Sequence, residues 1–534
     1  MPTTEADTLA NTEKLGHIQG PDTGVDNQFP RGVKLALLTA ALCLSVFLIA
    51  LDTTILATAI PKITDQFKSL DDVGWYGSAC TTAATQLLFG KLYTFLPVKW
   101  VYVAAIAVFE IGSLVCGIAP NSNALIIGRA IAGLGSSGIF TGALVIVANT
   151  VPLVKRPLYA AAIGGMYGVA SVAGPLMGGT FTDKVSWRWC FYVNLPLGGV
   201  TLAIVIFLFK MPRASQIKQE PGTIMQRLAL FDPWGTLVFV PAIVSLLLAL
   251  QWGGSKYAWK SARIIALLVL FGISTGVVVG IQLWKPDQAT IPPRILKQRS
   301  IWSGSFYAFC CDAAFFILFY YLPIWFQAIH GVSAVHSGID ILPIMLSLIL
   351  ASIVAGGLIT RVGYYAPFMI ASSVIFAVGA GLVSTLKVTS SLTSCILYQI
   401  VCGVGVGLGT QQPLFAVQAP KDVPVGTAVV VFAQTMGGAL FVSVAQSVFT
   451  NKLVAGLAAR VPGVDPIIVL DAGATSLTDA VPPQILPDVL RAYNDAIVST
   501  FRVSIAMAAL SGFGALVVEW RSIKVQDTER ATGT

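Results

Sequence analysis

Charge is scarce in this 534-residue sequence. Asp, Glu, Lys and Arg together make up 11% of it, where ordinary soluble domains carry about 25%. Histidine is scarcer still: only His17, His330 and His336. That leaves little material for metal centres or acid–base enzymes, and no nucleophile–base arrangement or metal-ligand spacing is visible. A Gly-x4-Gly-Lys-Ser/Thr loop is missing, so no ATP site is read. Basic runs interleaved with aromatics are missing too, which argues against nucleic acid. The eight cysteines lie in or beside apolar stretches and suggest packing residues, not a disulfide framework. No cofactor and no metal are expected.

Apolar sequence fills the space that charge leaves. Hydrophobic residues make up 55% and the mean hydropathy is +0.79. This is the composition of an all-α polytopic membrane protein, whose environment is the lipid bilayer. A span needs roughly 20 apolar residues. Fourteen are read, at about 35–59, 75–95, 100–119, 123–148, 158–181, 190–209, 233–252, 262–284, 301–327, 338–359, 366–386, 392–413, 425–449 and 497–519. An even number puts both termini on one side. With the termini inside, the inner segments hold 20 Lys and Arg and the outer loops 11, so the termini are expected in the cytoplasm. The net charge of +8 reflects the same bias.

Residues 1–34 are polar and rich in Thr, Asp and Gly, and are expected to form a disordered cytoplasmic tail without a cleavable signal peptide. Residues 520–534 form a second cytoplasmic tail. The longest outer loop, 450–496, carries no Asn-x-Ser/Thr sequon.

Two stretches recur. "GRAIAGLG" in the fourth span places Arg129, Gly133 and Gly135; "YQIVCGVG" in the twelfth places Gln399, Gly403 and Gly405 at the same spacing. After the second span Gly90 is followed four residues on by Thr94; after the tenth, Gly356 is followed four residues on by Thr360. Both matches lie eight spans apart. They divide the chain into an N-terminal six-helix half (35–209), a linker with two inserted spans (210–299) and a C-terminal six-helix half (300–519). Transporters are often built from such repeats, with the site at their interface.

"LDTTILATAIP" in the first span, "GVASVAGPLMGG" in the fifth, "WRWCFYVNLPLGG" opening the sixth and "YYLPIWFQAIHGVSAVHSGIDILP" around the ninth and tenth resemble the major facilitator superfamily. The likeness is to its fourteen-span drug:proton antiporter branch, as found in fungal toxin and multidrug efflux pumps. It implies a fold of two six-helix halves with two additional spans. It also implies proton-coupled export of hydrophobic or amphipathic small molecules (toxins, secondary metabolites, drugs) by alternating access. Gly174, Pro175, Gly178 and Gly179 match the antiporter motif of span five. One loop departs: the family's Gly-x3-Asp-Arg-x-Gly after span two holds Thr94, Phe95 and Pro97 at the Asp, Arg and second Gly positions, with Lys99 beyond.

Residues for proton coupling follow from charge in the spans. A carboxylate in hydrocarbon is expensive unless paired, neutralised or wetted. Asp52 lies roughly 25 Å along the first span and Arg129 roughly 9 Å below the outer face in the fourth, so the two can share a depth. Moving Arg129, or wetting the cavity, would make Asp52 take up or release a proton; otherwise the pair only fixes packing. Glu110, near mid-depth of the third span, and Asp312 in the ninth are further candidates. Tyr320, Tyr321 and Trp325, with Phe315 and Phe316, are candidate substrate contacts, although aromatics also form interfacial belts. Gln411, Gln412 and Gln434 are amides able to orient a ligand or to bond across helices.

Expected partners are a small-molecule substrate and protons, with the chain a monomer in the plasma membrane or, alternatively, the vacuolar membrane. Other readings are a siderophore or basic-amino-acid antiporter on the same fold, an intramembrane enzyme, and a non-transporting receptor.

Overall fold

A computed structural model of the chain describes residues 32–67, 79–209, 232–254, 257–285, 289–418, 423–463, 466–472, 477 and 481–522. The expectations for residues 1–31, for 210–231 of the linker and for 523–534 fall outside these.

Among the described residues the fold is helical throughout. Fourteen longer helices carry it: α1 (Val33–Phe67), α2 (Ala79–Phe95), α3 (Val98–Gly117), α4 (Ser122–Thr150), α5 (Arg156–Lys184), α6 (Asn194–Leu208), α7 (Pro233–Trp252), α8 (Ala262–Trp284), α9 (Arg299–His330), α10 (Leu342–Val362), α11 (Ala366–Val383), α12 (Leu392–Gly409), α13 (Val423–Arg460) and α14 (Leu486–Val517). Hydrogen-bonding caps start several of them: Asn121 accepts from Ala124 N, Ser261 from Ile264 N and Ser391 from Ser394 N. In hydrocarbon the backbone must satisfy itself, and the helix is the local way to do so.

Twelve of these helices, several extended by an adjoining turn, are long and apolar enough to cross a membrane. The expectation of fourteen is met only to that extent. In α2 the 17 described residues (ACTTAATQLLFGKLYTF) are diluted by Thr, Gln and Lys, and in α7 the apolar stretch Trp234–Leu250 is short.

Helix pairing repeats. In the first six helices α1 packs on α5 and α6, α3 on α4 and α6, and α2 on α4. In the last six α9 packs on α13 and α14, α11 on α12 and α14, and α10 on α12. Each pair recurs eight helices later. The two most extensive contacts between the groups are α5 with α10 and α2 with α13, and these also exchange under the repeat. The matched glycines mark the close approaches. A Cβ at Gly135 would fall 2.7 Å from Ala105 O and Phe109 Cα; one at Gly405 would fall 2.5 Å from Phe376 N. Gly90 abuts Ala428 of α13, and Gly356 abuts Pro157 and Leu158 of α5. Thr94 and Thr360 each donate 2.8 Å back to those glycines' carbonyls.

Helices α7 and α8 pack on each other, and α7 also touches α2 and α13. Asp232 ties their ends together. It caps α7 at Gly235 N (2.8 Å) and accepts from Thr290 N (3.1 Å) and Oγ1 (2.8 Å) beyond α8. The 450–496 loop departs from expectation: α13 runs on to Arg460 and α14 starts at Leu486. Leu453 and Leu457 of the extension are buried in one cluster with Val489, Ala492 and Tyr493. Packing thus prolongs helices past the point where hydropathy falls.

Candidate functional site

The first polar centre lies inside the N-terminal group. Asp52 of α1 and Arg129 of α4 form an ion pair, with Nη1 donating 2.8 Å to Oδ1 and 2.7 Å to Oδ2, and both side chains are 1% exposed. The Phe191 ring lies 5.8 Å from the guanidinium carbon. Asn194, the first residue of α6, is fully buried. Its Nδ2 lies 3.2 Å from Ser113 Oγ and 3.5 Å from Asp52 Oδ1. Glu110, one turn before Ser113 on α3, is also buried, and neither of its carboxyl oxygens finds a partner. Glycine makes room for it: any Cβ at Gly198 would overlap the Glu110 carboxyl. Two carboxyls and one guanidinium therefore share one enclosed space.

Helix α5 reaches this centre through glycine. Gly174 packs against Thr54, two residues beyond Asp52; an added Cβ would fall 2.7 Å from Thr54 Cβ and 3.0 Å from Ile55 N. Thr54 Oγ1 in turn donates 2.9 Å to Ala170 O of α5. Helix α5 continues through Pro175, which lacks a backbone donor. Pro175 faces Gly338 and Gly179 faces Val335, both from the turn leading into α10, while Gly178 is buried. The motif thus has two faces, one within its own helix group and one toward the other.

A second centre lies between the groups. Asp312 of α9 is 8% exposed, and its Oδ2 has no partner. The Gln434 amide of α13 bonds Asp312 and also donates 3.3 Å to Thr410 O. Gln411 follows Thr410; it is 8% exposed and its Oε1 is likewise unpartnered. Its amide nitrogen occupies the space a Cβ would take at Gly164 of α5. Tyr167, one turn on from Gly164, is close enough to Asp312 to interact with it electrostatically, yet is 39% exposed. Its ring meets Phe140 edge-on at 5.8 Å. Counting from the helix starts, Tyr167, Asp312 and Gln434 lie 11, 13 and 11 residues into α5, α9 and α13, or about 17–20 Å along a core about 30 Å thick.

The structure therefore gathers the sequence candidates into two sets: Asp52, Arg129 and Glu110 in one, Asp312, Gln411 and Gln434 in the other. Gln412 is turned back on its own helix, donating 2.8 Å to Leu408 O. Trp325 is fully buried, with its indole N–H donating 2.8 Å to Asn494 Oδ1. Tyr321 is 2% exposed and donates 2.9 Å to Gln446 Oε1. Both are enclosed among α9, α13 and α14, whereas Tyr320 is 46% exposed. Phe315 and Phe316 contact each other and Phe319. Sequence reading assigned no part to Ser113, Asn194, Gly164 or Tyr167. The signal for Asn194 was present: an amide in an apolar stretch opening a span. Among the described residues no group of three His, Cys, Asp or Glu is placed to hold a metal.

Comparison with known proteins fits this architecture. Residues 42–444 match the model of the Major Facilitator Superfamily. The chain is 55% identical over 505 residues to the MFS-type efflux pump MFS1 of Arthroderma benhamiae, covering 94% of each chain. It is 53% identical to the efflux pump roqT of Penicillium rubens, covering 91% of each. It is 52% identical to the MFS-type transporter astH of Aspergillus oryzae, covering 96% of this chain and 93% of that one. Among solved structures, the human organic anion transporter MFSD10 superposes with a TM-score of 0.55 at 13% identity, over 89% of this chain and all of that one, a likeness of fold. This chain belongs to the Major Facilitator Superfamily and is a multi-pass membrane transporter of small molecules, not an enzyme.

Proposed function

We propose that the chain is a proton-coupled exporter of hydrophobic or amphipathic small molecules, working by alternating access between halves 35–209 and 300–519. The efflux-pump names of its fungal relatives support the outward direction. We place it as a monomer in the plasma membrane. It makes fourteen crossings in the manner of the drug:proton antiporter branch, with α2 and α7 added to the twelve. The 20 residues of α7 measure about 30 Å, the thickness of the hydrocarbon core.

One observation carries the proton-coupling reading: a second buried carboxyl, Glu110, lies without a partner near the closed Asp52–Arg129 ion pair. A carboxylate enclosed with no donor and no cation is very costly, whereas its acid form is not. With Arg129 closed on Asp52, the proton belongs on Glu110. Separating Arg129 from Asp52, or admitting water as the halves rock, lets the two carboxyls exchange proton and cation. Gly174 and Gly198 set the approaches that keep this space tight. Rocking would run through the outer contacts of Pro175 and Gly179.

The test is transport in proteoliposomes with an imposed pH gradient. Asp52→Asn and Glu110→Gln are each expected to abolish gradient-driven accumulation while substrate exchange down its own gradient persists, because exchange needs no net proton turnover. Accumulation at the parent level by both variants would place coupling elsewhere.

A further inference from the structure

We infer that Asp232 clasps the two halves at one end of the seam between α2 and α13, joining Lys91 of α2 to Thr290 on the approach to α9. Asp232 is then a positioning residue for alternating access, supplied by the inserted pair α7–α8. This deepens the exporter reading and rests on it for the rocking of the halves.

Asp232 holds a strained backbone. At φ 48°, ψ 63° it is the only non-glycine residue with positive φ among the described residues. It also precedes Pro233, and a residue before proline favours an extended backbone. Such strain persists where the surroundings hold it, and it gathers where a side chain has a task. Glycine would relieve the strain but brings no carboxylate.

Capping α7 is not task enough. A cap needs one oxygen and usually an extended backbone. Asp232 Oδ1 makes the cap, accepting 2.8 Å from Gly235 N. Oδ2 takes two further bonds, from Thr290 N at 3.1 Å and Thr290 Oγ1 at 2.8 Å. Lys91 of α2, 3% exposed, is close enough to interact electrostatically with Asp232. The loop after α2 has no carboxylate between Thr94 and Lys99, so this charge comes to Lys91 from the inserted segment.

Both halves meet at this point. Gly90, beside Lys91, abuts α13: a Cβ on it would fall 2.5 Å from Ala428 Cβ and 3.5 Å from Val425 Cα. Thr290 is 2% exposed, and Ile291 and Ile295 beyond it pack with Leu87 of α2 and with Val425 and Val429 of α13. Helix α7 then lies over the same seam. Its Phe239 ring is 5.6 Å from Phe432 of α13, and its Ile243 and Leu247 pack with Ala83 and Ala84 of α2 and Met436 of α13. The seam is bridged by apolar contacts along α7 and by charge at its end, on the face that the proposed topology makes cytoplasmic. Opening this end parts Lys91 from Asp232, a costly step while both are dry and an easier one once water reaches them. The clasp therefore favours the closed end and yields as water enters.

The experiment measures distances by pulsed electron paramagnetic resonance on the spin-labelled full-length chain in nanodiscs, without substrate or pH gradient. In a cysteine-free background, one label pair crosses the halves at this end: Trp100→Cys at the start of α3 and Tyr364→Cys between α10 and α11, both exposed. A control pair, Trp100→Cys and Leu158→Cys of α5, lies within one half. The parent is expected to show mainly the shorter cross-half distance.

Lys91→Met and Thr290→Val keep side-chain size and cut one link each. Each is expected to raise the ratio of long to short distances at least tenfold, or about 1.4 kcal/mol, with the control distance unchanged. Thr290→Ser keeps the hydroxyl and is expected to match the parent, a rescue that a merely packed methyl would not give. Melting temperatures confirm folding, and either link variant suffices if the other does not fold.

A folded link variant with the parent's ratio overturns the inference. So does a parent already dominated by the long distance, a Thr290→Ser variant that opens as far as Thr290→Val, or a control distance that moves with the cross-half one. No flux or proton gradient enters the measurement, so failure here is separable from failure of proton-coupled export.

Discussion

Removing one member of the Asp52–Arg129 pair should damage the protein more than removing both. Arg129 reaches the two carboxylate oxygens at 2.7 and 2.8 Å, and each side chain is 1% exposed. Neither charge has water to fall back on. Arg129→Met leaves the Asp52 carboxyl with only the Asn194 amide, at 3.5 Å, as a described donor; Asp52→Leu leaves a buried guanidinium over the Phe191 face. Breaking a buried pair from one side costs about 3–5 kcal/mol, whereas replacing both partners by apolar groups of similar size is often neutral or better.

The expected order of stability is therefore wild type close to the double variant Asp52→Leu/Arg129→Met, with each single variant about 3–5 kcal/mol below. Reversible unfolding in mixed micelles titrated with SDS gives the four values of the cycle. Equal losses that simply add in the double variant would refute the pair as an energetic unit. The double variant, if folded, should still fail to accumulate substrate against its gradient, because the charges proposed to handle the proton are gone.

Two further expectations follow from packing and topology. Gly174→Leu should abolish transport while leaving some folded protein in the membrane, since its Cβ alone meets Thr54 and Ile55 N and overpacking costs about 1–3 kcal/mol or more; normal transport would show that the α1–α5 contact is not tight in the working protein. In a cysteine-free background, Ala459→Cys, exposed on the extension of α13, should label from outside intact cells and Thr223→Cys should not, and the reverse pattern would invert the topology.

How much of this was legible in the sequence depended on what each residue answers to. The Asp52–Arg129 pair was legible because depth along a membrane helix is simple arithmetic and a lone charge in hydrocarbon needs a partner. The repeat was legible at Gly90 and Gly356, and at Gly135 and Gly405, because close helix approach admits no side chain whatever surrounds it. Facing was not legible. Trp325 and Tyr321 belong to an aromatic run that a substrate cavity or a helix core would use equally; rotation about α9 put them against α13 and α14 and left Tyr320 outside. The lengths of α13 and α14 escaped hydropathy because Leu453, Leu457, Val489 and Ala492 stabilise each other, and that contact joins residues about 35 positions apart. Glu110 showed its charge in the sequence but not its isolation, which depends on Gly198 of another helix.

The repeat holds in backbone and breaks in charge, and that break argues for a division of labour. Position for position, Arg129 corresponds to Gln399, yet Gln399 donates to the Asp340 backbone carbonyl at 3.0 Å and has no carboxylate partner. The N-terminal half carries the Asp52–Arg129 ion pair with the unpartnered Glu110 beside it. The C-terminal half carries Asp312 among the amides Gln411 and Gln434. Ions that must exchange a proton are best kept where water enters only at one stage of the cycle, since hydration at the wrong moment leaks the gradient. Amides suit substrate recognition, because they hold their charge state at every pH and discriminate by hydrogen bonding. If both tasks fell on one set of residues, each substrate would shift the proton equilibrium by its own binding. In the proposed export cycle, keeping the ionic centre apart from the amides, with α5 packing on α1 beside Asp52 and meeting Gln411 at Gly164, would let substrates of varied shape use one proton cycle.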